Sequence, residues 1–593
     1  MTIPPLRPWI RPLFSRFALA FSLGLCLSWL LACSKIPVLG GLGNVDSPES
    51  ARQALQSKIL PQINVETATV DDAVAARYSV DRLPDPLPDL NDFPLHGSQP
   101  GQGGSLYLEI FSSSEKSNID RQNERWLVEV AEAFNQQRLK ADSGEVIQVG
   151  VRSIPAGTAA RFLAEKAAQP AAYSPSSNLW VEMIRSQGVQ VETVAEKLVP
   201  NQAGWVIPAT TYQQLSQQGA VTFDSLLDAI GSGQVTIGYP NPYTSSTALN
   251  LMYTLFWRAA GHQTDGGALT VADLESPQVN SVFQQFQQQV LATTTTTLDL
   301  QELFLRDQTK LQAFPLEYQN YLALKQVPGF EQTEFVPFGV PHNNPLVGFD
   351  WNTPAQKSAL QRFAAFALSP PMQTLAQQQG FGPDVPSPAG KVPPTPSGEV
   401  LLAAQRQWKL QKDGDRTAYM MVVIDASGSM AGDRIQSVKE GLRSASQQIN
   451  SGNFVGLVTF SDKTVRRVPL APFDTLQQQR WLAALDAVEA DGGTAMYDGV
   501  AVALADLLDQ QAQDPKGRFY LLLLSDGETN QGLRLNQIEQ ILIHSQVRFY
   551  PIAYGEVNQA ELQALAQLRE STVKSGDPKT VQQLFKDLFQ VNL

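Results

Sequence analysis

The sequence predicts an α/β protein of more than one domain, and three observations carry that expectation. Short aliphatic or β-branched runs alternate with amphipathic helical stretches from residue 105 to the end, and polar Ser/Thr- or Asp-rich loops follow several of the runs. A stretch over 384–398, with Pro386, Pro388, Pro393, Pro394 and Pro396, divides the alternation into two blocks. In the second block the runs at 421–424 and 519–524 are apolar without interruption, as strands buried on both faces of a doubly wound, mostly parallel sheet are. At 593 residues with 43% apolar content, the chain exceeds a single core and can fill several. Its net charge of -13 disfavours electrostatic binding of nucleic acid.

Taken in order, residues 1–33 begin with Arg7, Arg11 and Arg16, continue through an apolar run over 17–31 too short for a comfortable membrane span, and end in Leu30-Leu31-Ala32-Cys33. This resembles a bacterial lipoprotein signal. The resemblance implies cleavage before Cys33, acylation of that residue and attachment to a membrane through the lipid. An uncleaved N-terminal anchor is the alternative, and both place the bulk of the chain outside the cytoplasm. Leu31 is bulkier than is usual at its position in such signals. Cys26 and Cys33 are the only cysteines, so the rest of the chain has no disulfide framework and no thiolate metal site. Residues 34–103, Pro- and Asp-rich over 86–100, are expected to be a spacer with at most a short helix over 49–60.

From 104 to 383 a strand over 106–111 leads into the loop Ser112-Ser113-Ser114-Glu115-Lys116-Ser117-Asn118, then a helix over 123–137 with Trp126, Val130 and Phe134 on one side. The order recurs in a strand over 235–240, the loop Asn241-Pro242-Tyr243-Thr244-Ser245-Ser246-Thr247 and a helix through Trp257. Hydroxyls and free amides before a helix hold anions or polar ligands. They also cap it, and Ser112 with Glu115 fits a capping box. With Gly204-Trp205-Val206-Ile207-Pro208, Pro315-Leu316-Glu317-Tyr318 and Gly380-Phe381-Gly382-Pro383, these segments resemble a type 2 periplasmic solute-binding protein. The resemblance implies two α/β lobes around a cleft, crossing strands near 205–209 and 335–340, and Ser113, Ser114, Ser245, Ser246, Tyr243 and Glu317 as candidate solute contacts. No Arg lies in either loop, so neutral donors are expected to hold an oxyanion, a sugar or a small peptide. The Gln-rich 284–289 and the threonines at 293–297 read as a helix tail and a surface loop.

A linker over 384–416 ends in a helix over 399–412 whose apolar side is Leu401, Leu402 and Trp408. The last domain is expected over 417–593, with helices over 434–449, 476–488, 497–511, 535–544 and 580–589, and strands over 454–460 and 547–554 beside the two buried runs. Asp425, Ser427 and Ser429 follow the first buried run, Thr494 stands in a Gly-rich loop, and Asp526 ends the second run. Carboxylates and hydroxyls at one sheet edge suit hard divalent cations, not zinc or copper. This Asp-x-Ser-x-Ser, Thr, Asp set resembles the metal-ion-dependent adhesion site of the von Willebrand factor A domain. The resemblance implies Mg²⁺, with Mn²⁺ or Ca²⁺ as substitutes, held with an open position for a carboxylate from an envelope or extracellular protein.

The chain has no G-x-S-x-G, no Walker-type loop, no H-E-x-x-H, and its four His residues stand singly, so catalysis is not expected. The expected function is that of a lipid-anchored cell-envelope binding protein. A solute-binding component of a membrane transport system, with the last domain as docking module, is the alternative.

Overall fold

In a computed structural model, residues 44–593 are described except 82, 84, 102, 103, 556–558, 569, 570 and 572. The signal stretch with Cys26 and the expected lipidation site Cys33 lies outside the described residues. Both blocks belong to the compact unit Val45–Leu593.

The fold is mixed α/β, and the run around Met421 becomes the centre of a seven-stranded sheet. Strand Ala418–Asp425 is buried at every position, and it pairs in parallel with Phe454–Phe460 on one side and Arg518–Ser525 on the other. The order runs Val65–Thr67, Thr464–Pro472, Phe454–Phe460, Ala418–Asp425, Arg518–Ser525, Arg548–Tyr554, Lys574–Gly576. One face packs Met420, Val422 and Ile424 against Val438 and Leu442 of helix Asp433–Ala445, Trp481 of Thr475–Asp486, and Phe585 and Phe589 of Val581–Asn592. Helix Met496–Gln513 covers the other face so closely that a Cβ on Gly499 would lie 2.9 Å from the Phe460 ring.

Three strands of this sheet escape the sequence reading, each for a local reason. Thr464–Pro472 is antiparallel, carries Arg466, Arg467 and two prolines, and pairs with register shifts, so it lacks the continuous apolar run of its neighbours. Val65–Thr67 and Lys574–Gly576 are three-residue edge strands, too short for any periodicity.

Residues expected as a spacer are laid over both domains. Val65–Thr67 pairs with Thr464–Arg466, extending the sheet beyond its antiparallel strand. Helix Pro48–Ala54 and the turn Leu55–Ile59 rest on helices Met496–Gln513 and Leu535–His544, with Ala51, Leu55 and Ile59 fully buried. Tyr78 and Val80 then touch the core of the last domain, whereas Leu87, Leu90 and Phe93 touch that of the preceding one.

The preceding block has two lobes. A six-stranded sheet contains Ser105–Ser112, Val146–Ser153, Ala172–Ser174, Val191–Ala195, Leu346–Phe349 and Leu95–Gly97. The second lobe holds Ala203–Pro208 between Phe314–Glu317 and Thr333–Pro337, and the pair Ile237–Pro240 with Val290–Thr294. The crossing segments meet in an antiparallel bridge between Asn201 and His342. The first crossing therefore lies before the expected 205–209, and the return after 335–340. The aromatic-rich stretches read as crossings are second-lobe strands, which share the same apolar signature.

Two sets of contacts stand out among those that join the blocks. Helix Gly398–Gln411 packs Leu401, Ala404 and Trp408 into the core of the two-lobed block, where the Trp408 indole donates to the Tyr239 hydroxyl at 2.9 Å. At the amino-terminal edge of the seven-stranded sheet, Arg416 donates to the Gln287 carbonyl at 2.9 Å, Arg518 to the same carbonyl at 3.3 Å, and Arg548 to that of Leu291. The Gln287 carbonyl closes helix Pro277–Gln288, the negative end of its dipole, and Leu291 stands in strand Val290–Thr294 that follows it. Burial, with the like charges of Arg518 and Arg548, pushes the Arg416 guanidinium down to about 10.

If the amino-terminal strap is structural, Leu55→Ala and Ile59→Ala each cost ~2–5 kcal/mol, as core truncations do. Spacer residues would shift stability by no more than about 0.5 kcal/mol. The midpoint of denaturant unfolding of the whole chain distinguishes the two.

Candidate functional site

The carboxyl-terminal rim of the seven-stranded sheet gathers oxygen. Asp425 ends the central strand, and its Oδ1 accepts the Ser427 amide at 2.9 Å while its Oδ2 accepts the Ser525 hydroxyl at 2.7 Å. The Ser427 and Ser429 hydroxyls lie 3.0 Å apart, and Ser429 donates to Asp526 Oδ1 at 2.8 Å. Four of the five expected metal ligands thus form one hydrogen-bonded chain. The fifth, Thr494, stands in the facing loop, which backbone bonds tie to the first: Gly428 to the Gly492 carbonyl at 3.0 Å and Asp491 to that of Ala426 at 2.9 Å. The Thr494 amide donates to the Asn530 side chain at 2.9 Å, linking this loop to the one after Asp526.

Charge is concentrated here with little water to screen it. Asp425, Ser427, Thr494 and Asp526 are buried, and Ser429 is exposed. Burial pushes the Asp425 carboxyl above the usual range and the charge of Asp526 pushes the same way, against the hydrogen bonds from Ser427 and Ser525. Among the described residues one cation is bonded to these two carboxylates: Arg434 Nη1 donates to Asp526 Oδ2 at 2.6 Å. Neither Ser525 nor Arg434 was expected. Ser525 immediately precedes Asp526, but Arg434 is signalled only by its place one turn beyond the motif. No group of three or more His, Cys, Asp or Glu side chains suited to a metal occurs among the described residues. The expected ligand set has two carboxylates and three hydroxyls, and Asp491 and Asp462 stand beside it, accepting the Gly492 and Gly493 amides of the Thr494 loop at 2.8 and 2.7 Å.

The expected solute contacts are spread over three kinds of work. Ser245 caps helix Ser246–Ala259, accepting the Ala248 amide at 3.3 Å. Ser246 lies between the lobes, where the Ser176 hydroxyl at 2.7 Å and the Trp180 indole at 2.8 Å both donate to it. Tyr243 turns its ring to Trp408 of the bridging helix, 5.8 Å between centroids, and burial pushes its hydroxyl up to about 12. Ser113 accepts from the ammonium of Lys116 at 2.8 Å, and Ser114 opens the short turn Ser114–Lys116. The capping box expected from Ser112 and Glu115 does not form, because the Ser112 hydroxyl donates to the Ser113 carbonyl at 3.2 Å. Glu317 Oε1 accepts from Thr247 at 3.0 Å and lies 2.6 Å from His342 Nδ1, while Glu317 Oε2 is buried without a partner.

A cation stands in the first loop beside the neutral donors. Lys116 is fully buried in the first loop, its ammonium donating to Ser113 and, at 2.8 Å, to the Ser174 carbonyl. Burial pushes that ammonium down, against the charges of Glu115 and Glu317, which hold it. The lobes also bond directly. Gln319 of the second lobe donates to the carbonyls of Glu115 and Asn123 of the first at 2.9 and 3.0 Å, and Asn320 donates to the Glu124 carboxylate at 2.5 Å. Gly157 packs so tightly under the Tyr243-Thr244 turn that an added Cβ would lie 1.9 Å from the Tyr243 carbonyl oxygen.

Comparison with known proteins divides the chain in the same way. Residues 420–587 match the family model described as von Willebrand factor type A domain, and residues 122–382 match that of bacterial extracellular solute-binding protein. Both families are binding or adhesion modules. Inter-alpha-trypsin inhibitor heavy chain H4 of Bos taurus is 28% identical over 156 residues, covering 25% of this chain and 17% of that protein. The chain thus spans about a sixth of that relative's length. Among solved structures, a von Willebrand factor type A protein from Catenulispora acidiphila shares 23% identity over 30% of this chain and 42% of its own, with a TM-score of 0.28. Iron-bound HitA from Pseudomonas aeruginosa shares 12% identity over 52% of this chain and 99% of its own, with a TM-score of 0.36. Among the described residues no helix is long and apolar enough to cross a membrane.

In chelator, Asp425→Asn is expected to raise the unfolding midpoint at neutral pH, by ~1 kcal/mol. The substitution removes a buried charge facing Asp526, keeps an acceptor for the Ser427 amide, and turns the second bond round, the new NH2 donating to Ser525 Oγ while that hydroxyl donates to the Gly527 carbonyl. A lower midpoint would show that the ionised carboxylate stabilises the metal-free rim.

Proposed function

We propose that this protein is a cell-envelope binding protein whose last domain captures a protein partner through a divalent cation at the sheet rim, and whose two-lobed domain is the rigid mount. The observation that supports the rim is its donor set: buried Asp425 and Asp526 joined through Ser427 and Ser429, with one arginine against two carboxylates. Hard oxygen donors in charge excess suit Mg²⁺, Mn²⁺ or Ca²⁺. Asp425, Ser427, Ser429, Thr494 and Asp526 would hold the ion, which would offer an open position to an acidic side chain of an envelope or extracellular protein. Attachment to a membrane through lipid at Cys33, and domain limits of 104–383 and 417–593, belong to this reading on the strength of the sequence.

The mount reading is supported by the direct bonds between the lobes, since groups expected to meet a solute meet each other. Two orphaned atoms favour a second reading, the solute-binding component of a transport system. Glu317 Oε2 and Ser174 Oγ are buried in the cleft without partners, and a small polar solute would satisfy them.

Two measurements test these readings. Capture of partner from envelope extracts is expected to disappear with chelator and with Asp425→Ala; capture unchanged by both removes the metal-mediated role. A thermal-shift panel of oxyanions, sugars and short peptides is expected to be flat for the whole chain. A solute binding the cleft would add roughly 3 kcal/mol at about a hundred times its dissociation constant, and such a shift would favour transport.

A further inference from the structure

Among the described residues Arg434 is the one cation bonded to Asp425 or Asp526, and its position is costly without them. It is the second residue of helix Asp433–Ala445, where the helix dipole disfavours positive charge. Its guanidinium nevertheless reaches back to bond Asp526 Oδ2 at 2.6 Å and approaches the Ser429 carbonyl at 3.5 Å. The pair is lopsided: the Asp526 side chain is fully buried, and that of Arg434 is 42% exposed. The carboxylate is fixed, and the guanidinium has solvent to swing into. Gly555, with φ +84°, lies beside the guanidinium without crowding it: even a Cβ there would make only an ordinary contact, 3.6 Å from Arg434 Nη2.

We infer that Arg434 is a built-in counter-cation of the rim, competing with the divalent ion for Asp526 and so setting the concentration at which the rim loads. The inference rests on the metal-mediated reading of the rim and deepens it. In the metal-free chain the arginine neutralises one of two buried carboxylates, which keeps the loop after Asp425 closed onto Asp526. Loading replaces its single charge by two and releases the guanidinium to the exposed rim beside the ion. There it adds a second positive group to the face an acidic partner meets. Loading thus carries a cost that an uncharged residue at 434 would not impose.

The test titrates the whole chain with Mn²⁺ alone, reading free ion by electron paramagnetic resonance, for the wild type, Arg434→Gln and Arg434→Met. Both variants remove the charge at an exposed position, and their folding is checked by the thermal midpoint in chelator. Each is expected to bind Mn²⁺ about tenfold more tightly than the wild type, the scale of losing one partly solvated ion-pair partner. Equal affinity within about twofold overturns the competition and leaves the metal reading standing. No binding by any of the three chains overturns both.

Discussion

The arginine row at the amino-terminal edge of the seven-stranded sheet is the constraint from which the arrangement of this protein follows. Arg416, Arg518 and Arg548 lie at the starts of three neighbouring parallel strands; the first two donate to the Gln287 carbonyl at the end of one helix in the two-lobed domain, and Arg548 donates to Leu291 in the strand that follows it. Three like charges side by side are unfavourable, and burial, with Arg518 and Arg548 alongside, holds the Arg416 guanidinium below its ordinary value, so the row is tolerable only against concentrated negative potential. The end of helix Pro277–Gln288 supplies it, through carbonyls left without helical partners. Charge-assisted bonds of this kind contribute roughly 1.5–3 kcal/mol each. Together with buried Trp408 they hold the two domains as one compact body.

That weld decides where the rim around Asp425 points. The strands are parallel, so their carboxyl ends stand about 25 Å from the arginine row, by the rise per residue of an eight-residue strand. Asp425, Asp526 and the Thr494 loop therefore face away from the two-lobed domain. One domain anchors the sheet at its base, and the rim lies at the opposite edge. The amino-terminal strap works to the same end, since Val65–Thr67 covers the sheet beyond Thr464–Pro472, an edge that would otherwise invite pairing with another chain.

How much of this was legible depends on whether a feature is local. The buried runs around Met421 and Leu522 announce a parallel sheet because strands covered on both faces must be apolar throughout, and Asp425 and Asp526 follow them directly. Arg434 belongs to the rim only because its helix folds back over the loop after Asp425, and neither its spacing nor its type singles it out among the chain's arginines. In the two-lobed domain Ser245 and Ser246 are adjacent and alike, yet one caps a helix and the other joins the lobes. Which does which depends on Ser176 and Trp180, some seventy residues earlier in the chain. Proline and aspartate over 86–100 read as solvated spacer, whereas Leu87, Leu90 and Phe93 find an apolar wall that only the tertiary fold provides. Lys116 was passed over for the converse reason: a lysine in a polar loop is ordinarily solvated, and only the partners Ser113 and Ser174 make its burial tolerable.

Magnitudes then favour the mount over the transporter. A solute closing a two-lobed protein contributes the difference between its affinities for the closed and open forms, roughly 3 kcal/mol at a hundredfold excess over its dissociation constant. Here the lobes are already joined by Ser176 and Trp180 to Ser246, Gln319 to Glu115 and Asn123, and Asn320 to Glu124. At roughly 0.5–1.5 kcal/mol each these direct bonds match or exceed what a solute would add, before the Lys116 and Glu317 charges across the cleft are counted. A cleft that closes on its own side chains gains rigidity at the expense of switching. Rigidity is what a mount for the opposite rim requires: if the lobes opened and closed, helix Pro277–Gln288 and the arginine row on it would move with the second lobe, and the rim would move with them.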